Sequence, residues 1–512
     1  MRPIHILFFL LAVFSLVIGV SAIWPKDGVR LAEDFKLSFV TFEEIFEKDS
    51  TETLNLDSLL ASYEVEFDST AIKDSIRLAQ LAYRKMVMRI QYADSADRLT
   101  RFFAALERSK SGTGSVRILH YGDSQVEGDR ITSEVRNGLQ RAFGGSGPGY
   151  IAAYPLSESM SLENLRSENW RRLPVFGNRD STLTHNKFGM YGVFSRFTDF
   201  PVTDTIYQDS IRTQITRTIE DQEVTKDTLI VLEPIVRTTL PHDSVVSAWI
   251  ELKPSPIGYY SSRRFTKFQL LFRNPDAPFK MRVILPDSSV TERVFPMNPY
   301  SQNYVQSFED SPASIRLEFE AVSSPDVFGI RLENDFGVTM DNIPMRGSSG
   351  TYFGKIAHGE MANQFAETKA SLIILQFGGN TLPYLEDEAE VERYGGWFAS
   401  QIRYLKRMNP QADFVLIGPS DMSIKEGTRF VTYPLLPKLR DVLKAEAFAN
   451  EIGYWDMYEV MGGRNSMPVW VAADPPLASS DYVHFTRPGT RKIGELFLDA
   501  LMKDYEEYAT QE

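Results

Sequence analysis

VRILHYGDSQVEGDRIT, residues 116–132, is the stretch from which the fold of this chain can be read. Its first six residues have strand character, Gly122 ends the run, and the chain turns polar before a helix-like pattern over 129–143. Ser124 therefore stands at a strand-to-helix corner. Such a corner lifts a hydroxyl out of the carboxyl edge of a sheet, where open α/β sheets hold their ligands, and the following backbone N–H groups point to the same place. Taken alone, Gly122-Asp123-Ser124 also reads as an ordinary turn, because these are common turn residues. Residues far downstream separate the two readings.

From Gly337 on, strand and helix patterns alternate. Residues 338–341 look like a strand end and lead through Asn342 and Arg346 to Gly347 and Gly350. A helix over 356–366, a buried strand over 371–377 closing on Gly378-Gly379-Asn380, and a helix over 388–407 come next. A strand (414–418), a helix (434–450), a short strand (453–456) and a last helix (490–505) complete the series. Strands spaced by helices of this length predict an α/β fold with a doubly wound parallel sheet. Upstream, apolar positions at helical intervals over 74–109, among them Met86, Ile90, Leu99, Phe102 and Leu106, predict helices that lead into the first strand.

Residues 152–335 differ. Short β-branched and aromatic runs at 228–232, 245–252, 265–272, 281–285, 315–319 and 327–332 alternate with breaks such as Asn274-Pro275-Asp276. They predict an antiparallel β-sandwich inserted into the α/β domain. Tyr259, Tyr260 and Tyr300 are able to stack on sugar rings, although aromatics in such sandwiches are more often core or rim residues. The segment 143–150, FGGSGPGY, lacks the Lys-Ser or Lys-Thr of a phosphate loop and reads as a close-approach turn beside the active site.

The domain plan is thus 1–24 as a signal peptide or membrane anchor, 25–73 as an acidic spacer, 74–151 with 336–512 as the discontinuous α/β domain, and 152–335 as the insert. In the spacer, Phe35, Phe39, Phe42 and Phe46 fall at steps of four and three, the spacing of one face of a short helix. Arg2 precedes a run without charge, 6–24, and Lys26 and Asp27 follow it. Val20-Ser21-Ala22 suits a cleavage site, and the run is also long enough to anchor a chain in a bilayer. Either reading places the bulk of the protein outside the cytoplasm, with the membrane touched only through this segment.

The chain of 512 residues has a formal charge of -13 and no cysteine. The charge disfavours nucleic acid, since no basic block exists to neutralise phosphates. The missing cysteines exclude disulfides, thiolate metal sites and a cysteine nucleophile. No His-Glu-x-x-His or other ligand spacing appears among six histidines, so no metal or cofactor is expected. His120, inside the first strand, reads as a core histidine.

Just before the last helix stands Asp481-Tyr482-Val483-His484. An aspartate three residues before a histidine can turn back to accept the Nδ1–H and leave Nε2 free, the pairing that fixes the tautomer in serine hydrolases. Asn380 follows a strand and can offer its amide to an oxyanion. Gly347 follows another and, having no Cβ, lets a backbone N–H approach the same oxygen beside the N–H of Ser124. These four elements suit acyl transfer.

The same residues carry a resemblance to the SGNH, or GDSL-type, hydrolase superfamily. Gly122-Asp123-Ser124 resembles its Ser block, 342–347 its Gly block, Gly378-Gly379-Asn380 its Asn block and 481–484 its His block. The resemblance covers about 116–143 and 337–505. It implies a flavodoxin-like sheet, Ser124 as nucleophile, His484 as general base, Asp481 as its orienter, and an oxyanion hole of Ser124, Gly347 and Asn380, with Gly350 the rival of Gly347. Thr381 departs from the family's usual Gly-x-Asn-Asp. Ser124-Gln125-Val126-Glu127-Gly128-Asp129, the glycine-rich 143–150 and the inserted sandwich look like peptidoglycan O-acetylesterases and related polysaccharide acetylesterases. The expectations that follow are an esterase acting on an acetylated cell-envelope glycan, a periplasmic or membrane-anchored location, and a partnership with inner-membrane acetyl-transfer machinery. An O-acetyltransferase using the same residues, or a glycan-binding or assembly protein with a silent site, are the alternatives.

Overall fold

The computed structural model describes residues 29–32, 35–37 and 80–511, except 95, 113, 178, 181–182, 199–201, 207–210, 220–221, 231–234 and 240–243. Two units divide the chain, 1–74 and 75–512. In the first, Val29–Ala32 pairs antiparallel with Phe35–Leu37. Phe35 is therefore in a strand and not in the expected helix, since Phe-Lys-Leu alternates as readily as it fits a helical face. Phe39, Phe42, Phe46 and the charge-free run 6–24 lie outside the described residues. Among the described residues no helix is long and apolar enough to cross a membrane.

The second unit is built on a five-stranded sheet. Its strands are β1 (Ser115–Gly122), β2 (Gly337–Pro344), β3 (Leu372–Gln376), β4 (Asp413–Ile417) and β5 (Gly453–Trp455). All are parallel, in the order β2-β1-β3-β4-β5. Alternate residues serve opposite faces. Leu119, Tyr121, Ile373, Leu375 and Leu416 pack with α3 (His358–Thr368), α4 (Glu388–Met408) and α5 (Leu436–Ala449). Ile118, Met340, Ile374, Val415 and Ile417 pack with α1 (Thr100–Lys110), α2 (Arg130–Phe143) and α6 (Arg487–Ala509). Near-continuous burial on both faces explains why these strands read as apolar runs. The strand order reverses at β1, and the crevice between the carboxyl ends of β1 and β3 is where such sheets hold ligands. Gly122 stands level with Pro344 on one side and Gln376 on the other, so three loops leave the sheet at one edge.

The insert is a sandwich of two antiparallel sheets. One runs through Val290–Phe295, Phe279–Ile284, Ile315–Ala321, Val246–Pro254 and Leu162–Arg166; the other through Asn298–Ser307, Lys267–Asn274, Asp326–Glu333, Val193–Phe197 and Trp170–Pro174. Ile250, Met281, Leu317 and Phe319 meet Phe268, Leu270, Ile330 and Leu332 in its core. Strands Val202–Ile206 with Ile235–Thr239, and Ile211–Ile219 with Gln222–Ile230, form separate antiparallel pairs. Just before residue 152, Gly149–Ile151 pairs antiparallel with Asp326–Glu333.

All of Asp326–Glu333 is buried, since Phe328 on its far side joins the α/β core. Charged groups reinforce that junction. Arg117 on β1 bonds Glu333 of the sandwich and, at 3.0 Å, Asp341 on β2. Asp341 also accepts the Tyr150 amide at 3.0 Å and the Tyr191 hydroxyl at 3.1 Å, and that hydroxyl accepts from Arg331 at 2.7 Å.

The turn 143–150 is a close-approach turn, but not beside Ser124. A Cβ on Gly145 would fall 2.4 Å from the Val338 nitrogen, and one on Gly147 2.2 Å from the Leu332 oxygen. After β1, α2 carries the chain back about 21 Å at 1.5 Å per residue, so the glycines cross the amino end of β2, at the opposite edge.

Candidate active site

A Cβ at position 122 would meet the Val126 methyls at 2.8 Å, so a glycine lets the chain fold back at the end of β1. The Asp123 carboxylate then accepts the Gln125 amide at 2.9 Å and opens a short 3-10 turn, Ser124–Asp129. Ser124 is the first residue of that turn, at the sheet edge. Burial pushes the Asp123 carboxyl up to about 6, against the opposing pull of the Gln125 amide, the His484 charge and the Asn380 amide.

His484 arrives from the segment before α6. Its Nε2 lies 2.9 Å from Ser124 Oγ, and its Nδ1 lies 2.8 Å from Asp481 Oδ2. The other carboxylate oxygen accepts the backbone N–H groups of Val483 and His484, each at 3.0 Å. Burial alone would raise the Asp481 carboxyl, but the His484 amide and ring and the Val483 amide outweigh it and hold the group below its ordinary range. An ionised Asp481 accepts the proton on Nδ1, which leaves a lone pair on Nε2 facing the serine hydroxyl. The imidazole and the carboxylate are 38% and 49% exposed, so water reaches the pair directly.

Several side chains without an expected role position this loop. Gln125 Nε2 donates to the Val483 carbonyl at 2.7 Å. Arg130 donates to the carbonyls of Phe485 and Ser124, both at 3.2 Å, and so ties the histidine loop to the serine turn. The Phe430 ring stacks on Tyr482 at 3.6 Å, from a hairpin of Ser423–Glu426 and Arg429–Thr432. Gln125 and Arg130 carried a usable signal, being long polar side chains in the turn that holds the serine and at the start of the helix after it. Phe430 carried none, because its hairpin is distant in sequence.

Asn380 sits in the turn Gly379–Tyr384 directly after β3 and lines a small pocket with Asp123, Ser124, Gly418, Met422 and Met457. Its amide donates to the Ser348 carbonyl at 3.3 Å. His120 is fully buried between Thr132 Oγ1 at 3.0 Å and Gln376 Oε1 at 3.1 Å, and burial lowers its pKa to about 4. It is a core histidine that burial keeps neutral. Among the described residues no group of three or more histidines and carboxylates is arranged to hold a metal ion.

Compared with proteins of known structure, the chain is similar to a peptidoglycan O-acetylesterase, with 20% identity, a TM-score of 0.56, and coverage of 80% of this chain and 96% of that one. The fold is that of the SGNH hydrolases. Smaller likenesses are to an acetylxylan esterase from Geobacillus stearothermophilus (14% identity, 33% of this chain and 74% of that one, TM-score 0.24) and a putative GDSL-like lipase from Parabacteroides merdae (15%, 32% and 72%, TM-score 0.22). No protein-family model and no curated protein matches the chain.

Within this SGNH fold, Ser124, His484, Asp481 and Asn380 come from the ends of β1 and β3 and the segment before α6. Gly347 occupies an exposed turn after β2, with φ +74° and only the Phe176 ring, at 3.9 Å, near a would-be Cβ. It does not line the pocket that Ser124 and Asn380 share. Its rival Gly350 is a packing glycine, for a Cβ there would strike Phe398 at 2.6 Å and Phe377 at 2.8 Å. Arg346 grips Glu127 of the serine turn with two bonds of 2.6 Å, which holds the Gly347 turn against the turn that carries Ser124.

Proposed function

We propose that this protein is an exported serine esterase that removes O-acetyl groups from a cell-envelope polysaccharide of the peptidoglycan kind through an acetyl-enzyme. The observation that carries the reading is the unbroken relay from Ser124 Oγ to His484 Nε2, 2.9 Å, and from His484 Nδ1 to Asp481 Oδ2, 2.8 Å. Oγ attacks the acetyl carbonyl while its proton passes to Nε2. The carbonyl oxygen takes the negative charge and is met by the Ser124 N–H and the Asn380 amide. His484 returns the proton to the departing sugar oxygen, leaving Ser124 acetylated. A water then gives its proton to His484 and attacks the ester carbonyl, and His484 passes that proton to the departing Ser124 Oγ as acetate leaves.

Three further observations support the reading. The pocket beside Ser124 has a volume of about 20 Å³, room for roughly one water-sized group and so for the methyl of an acetyl. The peptidoglycan O-acetylesterase that shares the fold supports the substrate class. The charge-free run 6–24 behind Arg2 supports export.

The test is acetate release from O-acetylated peptidoglycan, alongside a burst of chromophore from 4-nitrophenyl acetate. Both are expected with the wild type and lost in Ser124→Ala with the circular dichroism unchanged. Equal turnover by Ser124→Ala would refute the assignment of the nucleophile, and an inactive wild type would refute the esterase.

A further inference from the structure

A second cavity, of about 580 Å³, opens between the carboxyl edge of the sheet and the inserted sandwich. That is within the ordinary range for a pocket that takes a small ligand, roughly 300–1,000 Å³. Its walls include Gly128 of the serine turn, Asn342 and Pro344 at the end of β2, and Leu162, Arg172 and Ile257 of the sandwich.

The charges around it are unevenly satisfied. Asp129 is bound by Arg136 at 2.7 and 2.8 Å and by the Ser161 hydroxyl. Arg166 lies over the Tyr154 ring at 4.2 Å. Glu158 and Glu163 are exposed to water. Arg172 is different. It is half-buried, and among the described residues its guanidinium makes no hydrogen bond and no ion pair. Glu127, whose charge reaches it, is already held by Nε and Nη2 of Arg346. Burial accordingly lowers the Arg172 pKa, with Tyr150 and Glu127 only partly compensating. A second unsatisfied group stands near: among the described residues the buried Tyr352 hydroxyl has no hydrogen-bond partner, and it feels the Arg172 charge.

A half-buried guanidinium without an anion is costly, and five fixed N–H donors on a cavity wall match one ligand chemistry above others, a planar carboxylate. The cavity adjoins the reaction centre through the turn Ser124–Asp129, which gives Ser124 to one and Gly128 to the other. Glu127 couples the two, since its charge bears on both Asp123 and Arg172.

We propose that this cavity is a subsite for a carboxylate-bearing sugar of the glycan, with Arg172 as its anchor, next to the sugar whose acetyl group meets Ser124. The assignment deepens the esterase reading and rests on it for the identity of the chain bound there, whereas the binding itself does not require turnover. The carboxylate comes either from a uronic acid or from the lactyl ether of a muramic acid that bears no stem peptide; both present the same planar group.

Calorimetric titration of the full chain separates these sources. The probes are a glucuronic-acid disaccharide, an N-acetylmuramic-acid disaccharide, and the carboxyl-reduced form of each. One acid is expected to bind roughly ten- to hundredfold more tightly than its reduced form, the scale of a charge-assisted hydrogen-bonded pair. That preference should vanish in Arg172→Gln and survive in part in Arg172→Lys, which keeps the charge without the fork. Trp170–Pro174 is an edge strand, so the substitution has room, and removing an uncompensated charge should leave Tm at or above the wild-type value. Equal binding of acids and reduced forms, a preference that persists in Arg172→Gln, or a lower Tm in that variant would overturn the assignment. Wild-type hydrolysis of 4-nitrophenyl acetate is measured alongside. Its absence would remove the esterase and leave the titration to decide the subsite on its own.

Discussion

Replacing Asp481 by asparagine tests the relay at its least protected member. In the wild type, Oδ1 accepts two backbone N–H groups at 3.0 Å and Oδ2 accepts the imidazole proton at 2.8 Å. Asparagine can keep its carbonyl on the two amides, which preserves the loop, but it then turns an NH2 towards Nδ1. The imidazole must answer with a lone pair at Nδ1 and carry its proton on Nε2, where it faces the Ser124 hydroxyl as a donor and cannot act as a base. In a buried serine triad this inversion costs about 10⁴ in kcat. Here the carboxylate is 49% and the imidazole 38% exposed, so water takes over part of the stabilisation of the imidazolium. A loss nearer 10³ in kcat, about 4 kcal/mol, is expected, with KM almost unchanged. The assay is steady-state hydrolysis of 4-nitrophenyl acetate, with Asp481→Glu for comparison. If Asp481→Asn keeps more than about a tenth of wild-type kcat while Ser124→Ala is dead, Asp481 does not set the tautomer and the reasoning fails.

Three other outcomes are expected. Because the pocket beside Ser124 admits about one water-sized group, 4-nitrophenyl butyrate should be hydrolysed at least about tenfold more slowly than the acetate, in kcat/KM, and equal rates would mean that the acyl chain leaves by another route. Asp123, raised from 3.8 to about 6 by burial, binds its proton more tightly in the folded chain, so its contribution to stability is lost as pH rises from about 4 through 6; Asp123→Asn should therefore gain on the wild type across that window, by on the order of 3 kcal/mol in urea unfolding, and a pH-independent difference would contradict the cause. Arg117→Met strips Glu333 and Asp341 of their shared cation and should lower stability by roughly 3 kcal/mol, whereas the double change with Glu333→Gln should recover part of that loss.

What could be read in the sequence followed from how many constraints each segment obeys. β1, β3 and β4 are buried on both faces, so almost every residue in 371–377 and 414–418 is apolar and the strands announce themselves. Ser124, Asn380 and the Asp481–His484 pair were legible because each is bound to a turn whose local chemistry needs those residue types. Gly347 was less so: a glycine with φ +74° in an open turn and a glycine packed between two phenylalanine rings look alike as letters, and only the packing separates position 347 from 350. Long-range polar pairing left no trace either. Arg346 with Glu127, and Gln125 with Val483, span 219 and 358 positions, and no period relates them. The turn 143–150 shows the converse, for its glycines did mark a close approach, but not which edge of the sheet they cross.

The ionic clasp between β1, β2 and Asp326–Glu333 makes the insert something other than a portable cassette. Cutting it out would strand Arg117 and Asp341 on the sheet without Glu333 and Arg331, and would open to water the apolar face of the α/β core that Phe328 covers. A chimaera that borrows a sandwich from elsewhere must therefore bring complementary charges at those positions.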